Sequence, residues 1–231
     1  MRISVIIPTL NEADQIERTL RVLHAQPGPK EIIVADGGSK DDTVARARPH
    51  AEVVEAPQGR ARQMNRGAAA ASGDAYFFLH ADSRPPAQGL DVIRTVLRQP
   101  AVEAGAFRLA FNRSTPLLDF YSWCTKWPLV YICFGDRGLF VQRSTFELIG
   151  GYPDWPIFED LEIARRLYER GGFRFMPQAV TTSARRFEQV GAFRQQLRNL
   201  RLWLHYVSGT DPASVAHLYP YDEDAGNHVS S

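Results

Sequence analysis

The chain has few cysteines. Only two of its 231 residues are cysteines, Cys124 and Cys133. Two thiols are too few for a disulfide framework or for a repeated zinc-ligand spacing. We therefore expect free thiols in a reducing compartment, with a cytoplasmic location.

The chain also lacks an excess charge and a long apolar run. Lys and Arg number 27 against 26 Asp and Glu, which gives a net charge of +1. This balance offers no reason to expect a nucleic-acid partner. The stretches MRISVIIPTL and WPLVYICFG are much shorter than the roughly 20 apolar residues that cross a bilayer. We expect no transmembrane span.

Apolar strands alternate with amphipathic helices over the first 80 residues. The predicted strands cover residues 3–7, 31–36, 51–56 and 75–80, and helices are predicted after Asn11 and over residues 41–48 and 61–72. Strands that are separated by helices predict a parallel sheet with helices on both faces. The class is therefore α/β, with a Rossmann-like, mostly parallel sheet.

The pattern is looser in the rest of the chain. Residues 102–111 and 137–142 are predicted strands, residues 159–170 and 190–207 are predicted helices, and residues 114–134 form an aromatic helix or loop. We predict one domain over 1–231. It has a nucleotide-binding half (1–100), an acceptor and catalytic half (101–190), a C-terminal helical segment (190–221) and a polar tail (222–231) that is a candidate for disorder.

Polar residues follow the first four predicted strands. In open α/β sheets, ligands bind beyond the carboxyl ends of the parallel strands, so these side chains should converge on one edge. They are Thr9, Asn11 and Glu12; Asp36; Arg60 and Arg62; and His80 and Asp82. Carboxylates suit a metal or a ribose, and guanidinium groups suit a phosphate.

The two common glycine-rich phosphate loops are missing. The first strand is followed by PTLNE, with no G-x-G-x-x-G and no Walker A pattern. These absences weaken a dinucleotide or P-loop interpretation. A nucleotide would have to be bound by another scheme.

Four motifs in order resemble family 2 glycosyltransferases with the GT-A fold. They are SVIIPTLNE, IIVADGGSKDDT, GRARQMNRGAAAASGDAYFFLHADS and FEDLEIARRL, and the resemblance covers residues 1–190. It implies a nucleotide-sugar donor, a divalent cation (Mn²⁺ or Mg²⁺) and transfer with inversion at the anomeric carbon. LHADS and TTSARRFEQVG are further similar to a short, soluble subgroup linked to arsenosugar biosynthesis.

The resemblance assigns roles to individual residues. Asp160 matches the family's general base, and Asp82 matches the last aspartate of its metal-binding Asp-x-Asp, in which His80 replaces the first. Arg185 and Arg186 lie where relatives carry a basic motif over the pyrophosphate, although the tryptophan of that motif is absent. Donor contacts are implied for Pro8, Thr9, Asn11, Glu12 and Asp36, and acceptor-side positions for Asp136, Arg137, Gly138 and Glu159. His80 departs from the family pattern, and contact with the ribose of the donor, contact with the metal or neither are open for it.

Geometry and charge supply two further expectations. Residues two apart in an extended segment point the same way, so His80 and Asp82 should face one site. Arg60 and Arg62 precede a helix next to the predicted phosphates, and at least one of them should reach the diphosphate.

Each assignment has a structural alternative. Asp36 is suited to capping the DGGS turn, Asn11 to capping a helix, and Asp82 with Ser83 to starting a turn before Pro85. Glu159 and its neighbouring acids favour a helix N-terminus without any catalysis.

The acceptor and the surface partners stay open at this point. A UDP-sugar is the first donor expected, and the acceptor is a small molecule or a lipid. The aromatic residues of 114–134 and an apolar face on the last helix suit a core, a dimer partner or peripheral membrane contact. Nucleotidyl transfer and a non-enzymatic nucleotide-sugar sensor or assembly subunit are the competing functions.

Overall fold

The computed structural model describes residues 1–128, 130, 137–185, 201–215 and 218. Over this part of the chain, seven strands form one sheet. The strands are β1 (Ile3–Thr9), β2 (Lys30–Asp36), β3 (Glu52–Glu55), β4 (Ala75–Phe78), β5 (Ala104–Phe111), β6 (Leu139–Gln142) and β7 (Phe173–Thr182).

Helices connect most of these strands. They are α1 (Ala13–His24), α2 (Thr43–Ala47), α3 (Arg60–Ala70), α4 (Gly89–Leu97), α5 (Pro116–Cys124), α6 (Arg143–Leu148) and α7 (Glu159–Glu169). Residues 201–207 are also helical, and Pro212–Val215 forms a short turn of helix.

The sheet is mostly parallel, which confirms the predicted α/β class. Its strand order is β3-β2-β1-β4-β6-β5-β7. Strands β1 to β4 pair in parallel, β6 is antiparallel to both β4 and β5, and β7 is parallel to β5. The carboxyl ends of the neighbouring strands β2, β1 and β4 therefore meet at one edge.

Two apolar layers cover the sheet. One contains Ile16, Leu20 and Leu23 of α1 with the inward residues of α4, and the other contains residues of α3, α6 and α7. Every residue of β1 is buried, as expected for a central strand that is covered on both faces. The fold therefore has three layers, with the sheet in the middle.

Strand β7 and helices α4 and α6 were not predicted from the sequence. β7 contains Pro177, and its register with β5 shifts between Ala106 and Arg108. Proline lacks an amide hydrogen and is tolerated on an edge strand, which is the position of β7. Because of these irregularities, β7 lacks the regular alternation of apolar and polar residues by which a strand is predicted from sequence.

Two predicted segments extend beyond the described residues. The predicted helix 190–207 is helical over 201–207, and residues 190–200 lie outside the described part, as does the tail 222–231. Part of the aromatic stretch 114–134 forms α5, on which Phe120 and Trp123 are 58% and 48% exposed, and residues 129 and 131–134 of that stretch lie outside the described part. These two rings are therefore not core residues. No helix in the described ranges is long and apolar enough to cross a membrane.

Helix α3 packs unusually close to β1 through Gly67. A Cβ atom on Gly67 would lie 2.5 Å from Cγ2 of Ile6, which belongs to the fully buried central strand. Real Cβ atoms do not approach that closely, so the helix or the strand would have to move. The glycine sets the distance between α3 and the sheet.

We expect Gly67→Ala to destabilise the fold, although alanine is the better helix former. Overpacking costs about 1–3 kcal/mol, which should exceed the gain of roughly 1 kcal/mol from helix propensity. The free energy of unfolding in urea measures the net effect. As the matched control, Ala69→Gly at an exposed position of the same helix should destabilise by propensity alone. A stabilised Gly67→Ala variant would mean that the close contact is not restrictive.

Candidate active site

Asp36 closes the loop that follows β2. It is 5% exposed, and Oδ2 accepts hydrogen bonds from the amides of Gly38 (3.0 Å) and Ser39 (2.9 Å). Oδ1 accepts a bond from the Thr9 hydroxyl at 3.2 Å, which joins the ends of β1 and β2. The turn-capping alternative is therefore present in the structure, and contact with a nucleotide base stays a prediction.

The loop after β1 is held by the loop after β2. The amide of Asn11 donates to Oγ of Ser39 (2.9 Å), and Oδ1 of Asn11 accepts from the amide of Lys40 (2.8 Å). The prediction that Asn11 caps α1 is wrong, because Glu12 occupies the N-cap position and Asn11 bonds across to the other loop. Pro8 lies inside β1 and is buried.

Arg185 reaches this loop from the far end of β7. Its Nη2 lies 3.5 Å from Oε2 of Glu12, although the two residues are 173 positions apart in the chain. The Arg185 side chain is 40% exposed, so it borders the open edge of the site. The second arginine of this motif, Arg186, lies outside the described residues.

Gln63 is a structural part of the site that the sequence analysis missed. It is 3% exposed, and its Nε2 donates to the carbonyls of Thr9 (2.7 Å) and Ala35 (2.9 Å). Those carbonyls lie at the ends of β1 and β2. The signal available in the sequence was a glutamine on the otherwise apolar inward face of a predicted helix, next to Met64.

Asn65 was also missed, and it ties α3 to the segment that leads into α7. Its amide group donates to the carbonyl of Tyr152 and accepts from the amide of Tyr152, both at 2.9 Å. One turn earlier, Nε of Arg62 donates to Oδ1 of Asp154 at 2.7 Å. Arg62 thus pairs with a carboxylate of the same segment, and its contact with a diphosphate stays a prediction.

Helix α7 begins with the two acidic residues of the FED motif. Phe158, directly before them, has a φ of +69°, an unfavourable conformation for a bulky residue. It is held by packing, since it is 7% exposed and its ring lies 5.3 Å from that of Tyr206. Backbone strain of this kind clusters at functional sites, and here it sets the direction in which Glu159 and Asp160 leave the turn.

Arg60 lies against both acids. Its Nε is 3.2 Å from Oε1 of Glu159, and its Nη1 is 3.9 Å from Oδ2 of Asp160. The Glu159 side chain is 2% exposed, and that of Asp160 is 11% exposed. Asp160 is therefore the more accessible of the two carboxylates.

Burial raises the pKa of Glu159 from 4.5 to about 7. The positive charge of Arg60 opposes this effect, the negative charge of Asp160 adds to it, and the nearby His80 opposes it more weakly. A carboxyl group with a raised pKa in the folded state stabilises the fold most at low pH. This contribution is lost as the pH rises towards 7.

The segment FLHADS ends its strand earlier than predicted. β4 stops at Phe78, and the amide of Ser83 donates to the carbonyl of His80 at 3.1 Å, which closes a turn. The expectation of an extended His80–Asp82 pair is therefore wrong, because the chain bends between the two residues. His80 lies close enough to Glu159 for its charge to act on that carboxyl group.

Asp82 faces the end of β7. Its Oδ1 accepts hydrogen bonds from the hydroxyls of Ser83 (3.2 Å) and Thr182 (3.3 Å), and the Ser83 hydroxyl donates to that of Thr182 (3.0 Å). The backbones of Arg84 and Thr181 pair directly beside them. These bonds orient the carboxylate from both sides of the turn.

The side chains at this turn suit a cation that is bound partly by the protein and partly by the phosphates of a substrate. Within the described ranges, no three His, Cys, Asp or Glu side chains are grouped closely enough to hold a metal ion by themselves. Mg²⁺ and Mn²⁺ sites in phosphate-binding enzymes need only one or two carboxylates, since substrate phosphates supply further oxygens. The single carboxylate of Asp82 is enough to meet that requirement.

The acceptor-side predictions have mixed outcomes. Arg137 is 1% exposed, and its guanidinium donates to the carbonyls of Phe107 (2.9 Å) and Thr125 (3.2 Å). It therefore ties the segment before β6 to β5 and to the end of α5, and its contact with an acceptor stays a prediction. Gly138 has a φ of +66°, and a Cβ there would meet Val180 at 2.9 Å. Asp136 lies outside the described residues.

Comparisons with known proteins agree with this geometry. The sequence model of the family described as "Glycosyl transferase family 2" matches residues 4–121. The chain is 28% identical over 210 residues to the probable glycosyltransferase YdaM of Bacillus subtilis, covering 78% of this chain and 50% of YdaM. The chain thus spans about half the length of this relative.

Solved structures share the fold. TarS of S. aureus, solved in complex with UDP, matches with a TM-score of 0.64 and 17% identity over 79% of this chain and 60% of that one. The mannosyltransferase PcManGT of Pyrobaculum calidifontis, in complex with GDP-Man and Mn²⁺, matches with a TM-score of 0.59 and 25% identity over 79% and 56%. These neighbours are glycosyltransferases of the GT-A fold, and the described chain has that fold.

We expect Glu159→Gln to change how stability depends on pH. The wild type should lose stability relative to the variant as the pH rises from 4.5 to 7, by an amount on the order of 2–3 kcal/mol. Chemical unfolding at several pH values measures this difference.

Glu162→Gln, on the same helix, is the control with the opposite sign. Burial works to raise the pKa of Glu162, but hydrogen bonds from Arg165 and Arg166 outweigh it and hold the pKa below 4.5. The wild type should therefore gain stability over Glu162→Gln as the pH rises from the lowered pKa of Glu162 to about 4.5, and should gain little more up to pH 7. Equal pH dependence in the two variants would contradict the assignment for Glu159.

Proposed function

Because the chain belongs to glycosyl transferase family 2, we propose that it transfers a sugar from a nucleoside-diphosphate donor to an acceptor hydroxyl with inversion. One observation carries the proposal. Asp160 is a partly accessible carboxylate in the first turn of α7, with Nη1 of Arg60 at 3.9 Å. The side chains that we propose as donor ligands follow the carboxyl ends of neighbouring strands of the sheet. Inverting transfer needs a carboxylate in such a position.

Asp160 is the general base in this mechanism. It takes the proton of the acceptor hydroxyl as that oxygen attacks the anomeric carbon from the side opposite the diphosphate. The bond between the anomeric carbon and the phosphate oxygen breaks, and the nucleoside diphosphate leaves with the bonding electrons. Such a base contributes typically about 10²–10⁴-fold to the rate.

The donor occupies the edge formed by β2, β1 and β4. Thr9, Asn11 and Asp36 hold the base and the ribose, since the bonds between their loops fix a polar surface there. Arg185, tethered at 3.5 Å to Glu12, lies over the diphosphate and balances its charge. A resident divalent cation, bound by Asp82, would neutralise charge on the departing diphosphate.

The finer identity of the substrates is also proposed. A UDP-sugar is the first donor to test, since TarS was solved with UDP, and GDP-mannose follows because PcManGT was solved with it and Mn²⁺. Small molecules, including those of the arsenosugar type, and lipid-linked acceptors are the two acceptor classes. The cytoplasm supplies nucleotide sugars, which suits the expected location.

We expect Asp160→Asn to bind the donor normally and to lose about 10²–10⁴-fold in kcat, because the amide cannot accept the acceptor's proton. Donor binding is followed by calorimetry, and turnover by release of nucleoside diphosphate. NMR of the glycoside product should show an inverted anomeric configuration. Weakened donor binding with normal turnover would refute the role of Asp160, and a retained configuration would refute inversion.

We expect one class of UDP-, GDP-, dTDP- or CDP-sugar to raise the melting temperature, and Mn²⁺ to strengthen that effect only when Asp82 is present. A ligand at about 100 times its Kd adds roughly 2.7 kcal/mol to the free energy of unfolding. Asp82→Ala should keep the metal-independent part of the shift. Asp74→Ala, an exposed aspartate whose carboxylate pairs with the chain terminus, is the matched control. Equal Mn²⁺ effects in all three proteins would remove Asp82 from the metal site.

A further inference from the structure

Arg60 is placed between two carboxylates of unequal exposure. It is the first residue of α3, and its guanidinium faces the first two residues of α7. Nε lies 3.2 Å from the buried Glu159, and Nη1 lies 3.9 Å from the more accessible Asp160. The sequence predicted a diphosphate contact for Arg60, whereas this position is beside the acids.

Burial of the Glu159 carboxylate costs free energy. A buried carboxylate away from water needs a compensating positive charge and hydrogen bonds. The charged groups that face it are Arg60 from α3, His80 from the turn after β4, and Asp160 from its own helix. Of the two cations, Arg60 lowers the pKa of Glu159 more strongly, and its Nε lies 3.2 Å from Oε1 of Glu159.

We infer that Glu159 is a positioning residue: it anchors Arg60, and Arg60 in turn holds Asp160 ionised and directed towards the acceptor. This inference rests on the proposed function, because it assigns Asp160 as the proton acceptor. It gives the two neighbouring acids different tasks. Glu159 fixes a cation from inside the protein, and Asp160 touches the substrate.

The positions of the three side chains favour these separate roles for Glu159 and Asp160. The Arg60 side chain is 25% exposed, so part of it borders solvent, and its Nε lies beside the buried Glu159. With Nε beside Glu159, Nη1 lies on the side of Asp160, at 3.9 Å from its Oδ2. Two adjacent carboxylates without a cation between them would repel, and one of them would take up a proton. A protonated Asp160 would not act as a base.

The experiment compares pH profiles of kcat for the wild type, Glu159→Gln, Arg60→Gln and Arg60→Lys. Turnover is measured as release of nucleoside diphosphate from UDP-glucose, UDP-N-acetylglucosamine and GDP-mannose with Mn²⁺. Because Glu159→Gln removes the anchor of Arg60, the acid limb of the profile should move to higher pH, in the same direction as in Arg60→Gln. Removing the cation in Arg60→Gln should move it to higher pH.

Rate and binding should separate as well. We expect kcat at the optimum to fall about 10- to 100-fold in Glu159→Gln, because Asp160 loses its fixed orientation, while the calorimetric Kd of the donor is unchanged. Arg60→Lys keeps the charge but cannot span both acids, so its acid limb should stay near that of the wild type while kcat is reduced. Arg66→Gln, an exposed arginine on the same helix whose Nε donates to a backbone carbonyl, should match the wild type.

Stability gives a readout that does not need turnover. Arg60 lowers the pKa of the buried Glu159, so Arg60→Gln should raise that pKa further and extend the loss of stability to pH values above 7. The double variant Glu159→Gln/Arg60→Gln should remove that extra loss. Unfolding measured across this range tests the coupling directly.

Failure of the inference differs from failure of the proposed function. If the wild type turns over a donor in an Asp160-dependent way, but Arg60→Gln only weakens donor binding and leaves both pH dependences unchanged, Arg60 is a diphosphate ligand and the inference is wrong. If no donor is turned over, the proposed function fails. The stability series then still decides whether Glu159 and Arg60 are coupled, and an unchanged series would overturn the anchoring.

Discussion

The close contact between Gly67 and Ile6 is the constraint on which the site depends. It seats α3 against the central strand, and the polar side chains of this helix then reach the surrounding segments. Gln63 bonds the ends of β1 and β2, and Asn65 holds the backbone of Tyr152. The same helix therefore fixes the donor-side loops and the segment that delivers the acids of α7.

The site also combines stabilising and destabilising parts. The loops after β1 and β2 are cross-linked by hydrogen bonds through Asp36 and Asn11, so a rigid polar surface exists before any ligand binds. On the other side, Phe158 has a positive φ and Glu159 is buried beside Arg60. Both cost free energy, and the packing of Tyr206 on Phe158 helps to hold them in place.

The sequence correctly predicted which residues come together when each of them lies at the end of a strand. Thr9 and Asp36 were expected to converge, and they share a hydrogen bond across neighbouring strands. The expectation of an extended His80–Asp82 segment was wrong, because the chain turns there and the amide of Ser83 bonds to the carbonyl of His80. The sequence analysis also missed β7, whose Pro177 and register shift interrupt the strand pattern.

The sequence by itself determined the α/β class, the parallel orientation of the first four strands and the motifs that identify the family. These features follow from local periodicity and from short motifs, which need no knowledge of distant contacts. Only the tertiary structure decided that Arg60 lies between Glu159 and Asp160 and that Arg137 is buried against backbone carbonyls. Such roles depend on residues far apart in the chain, and burial, rather than residue type, determines whether a charge meets a ligand or another side chain.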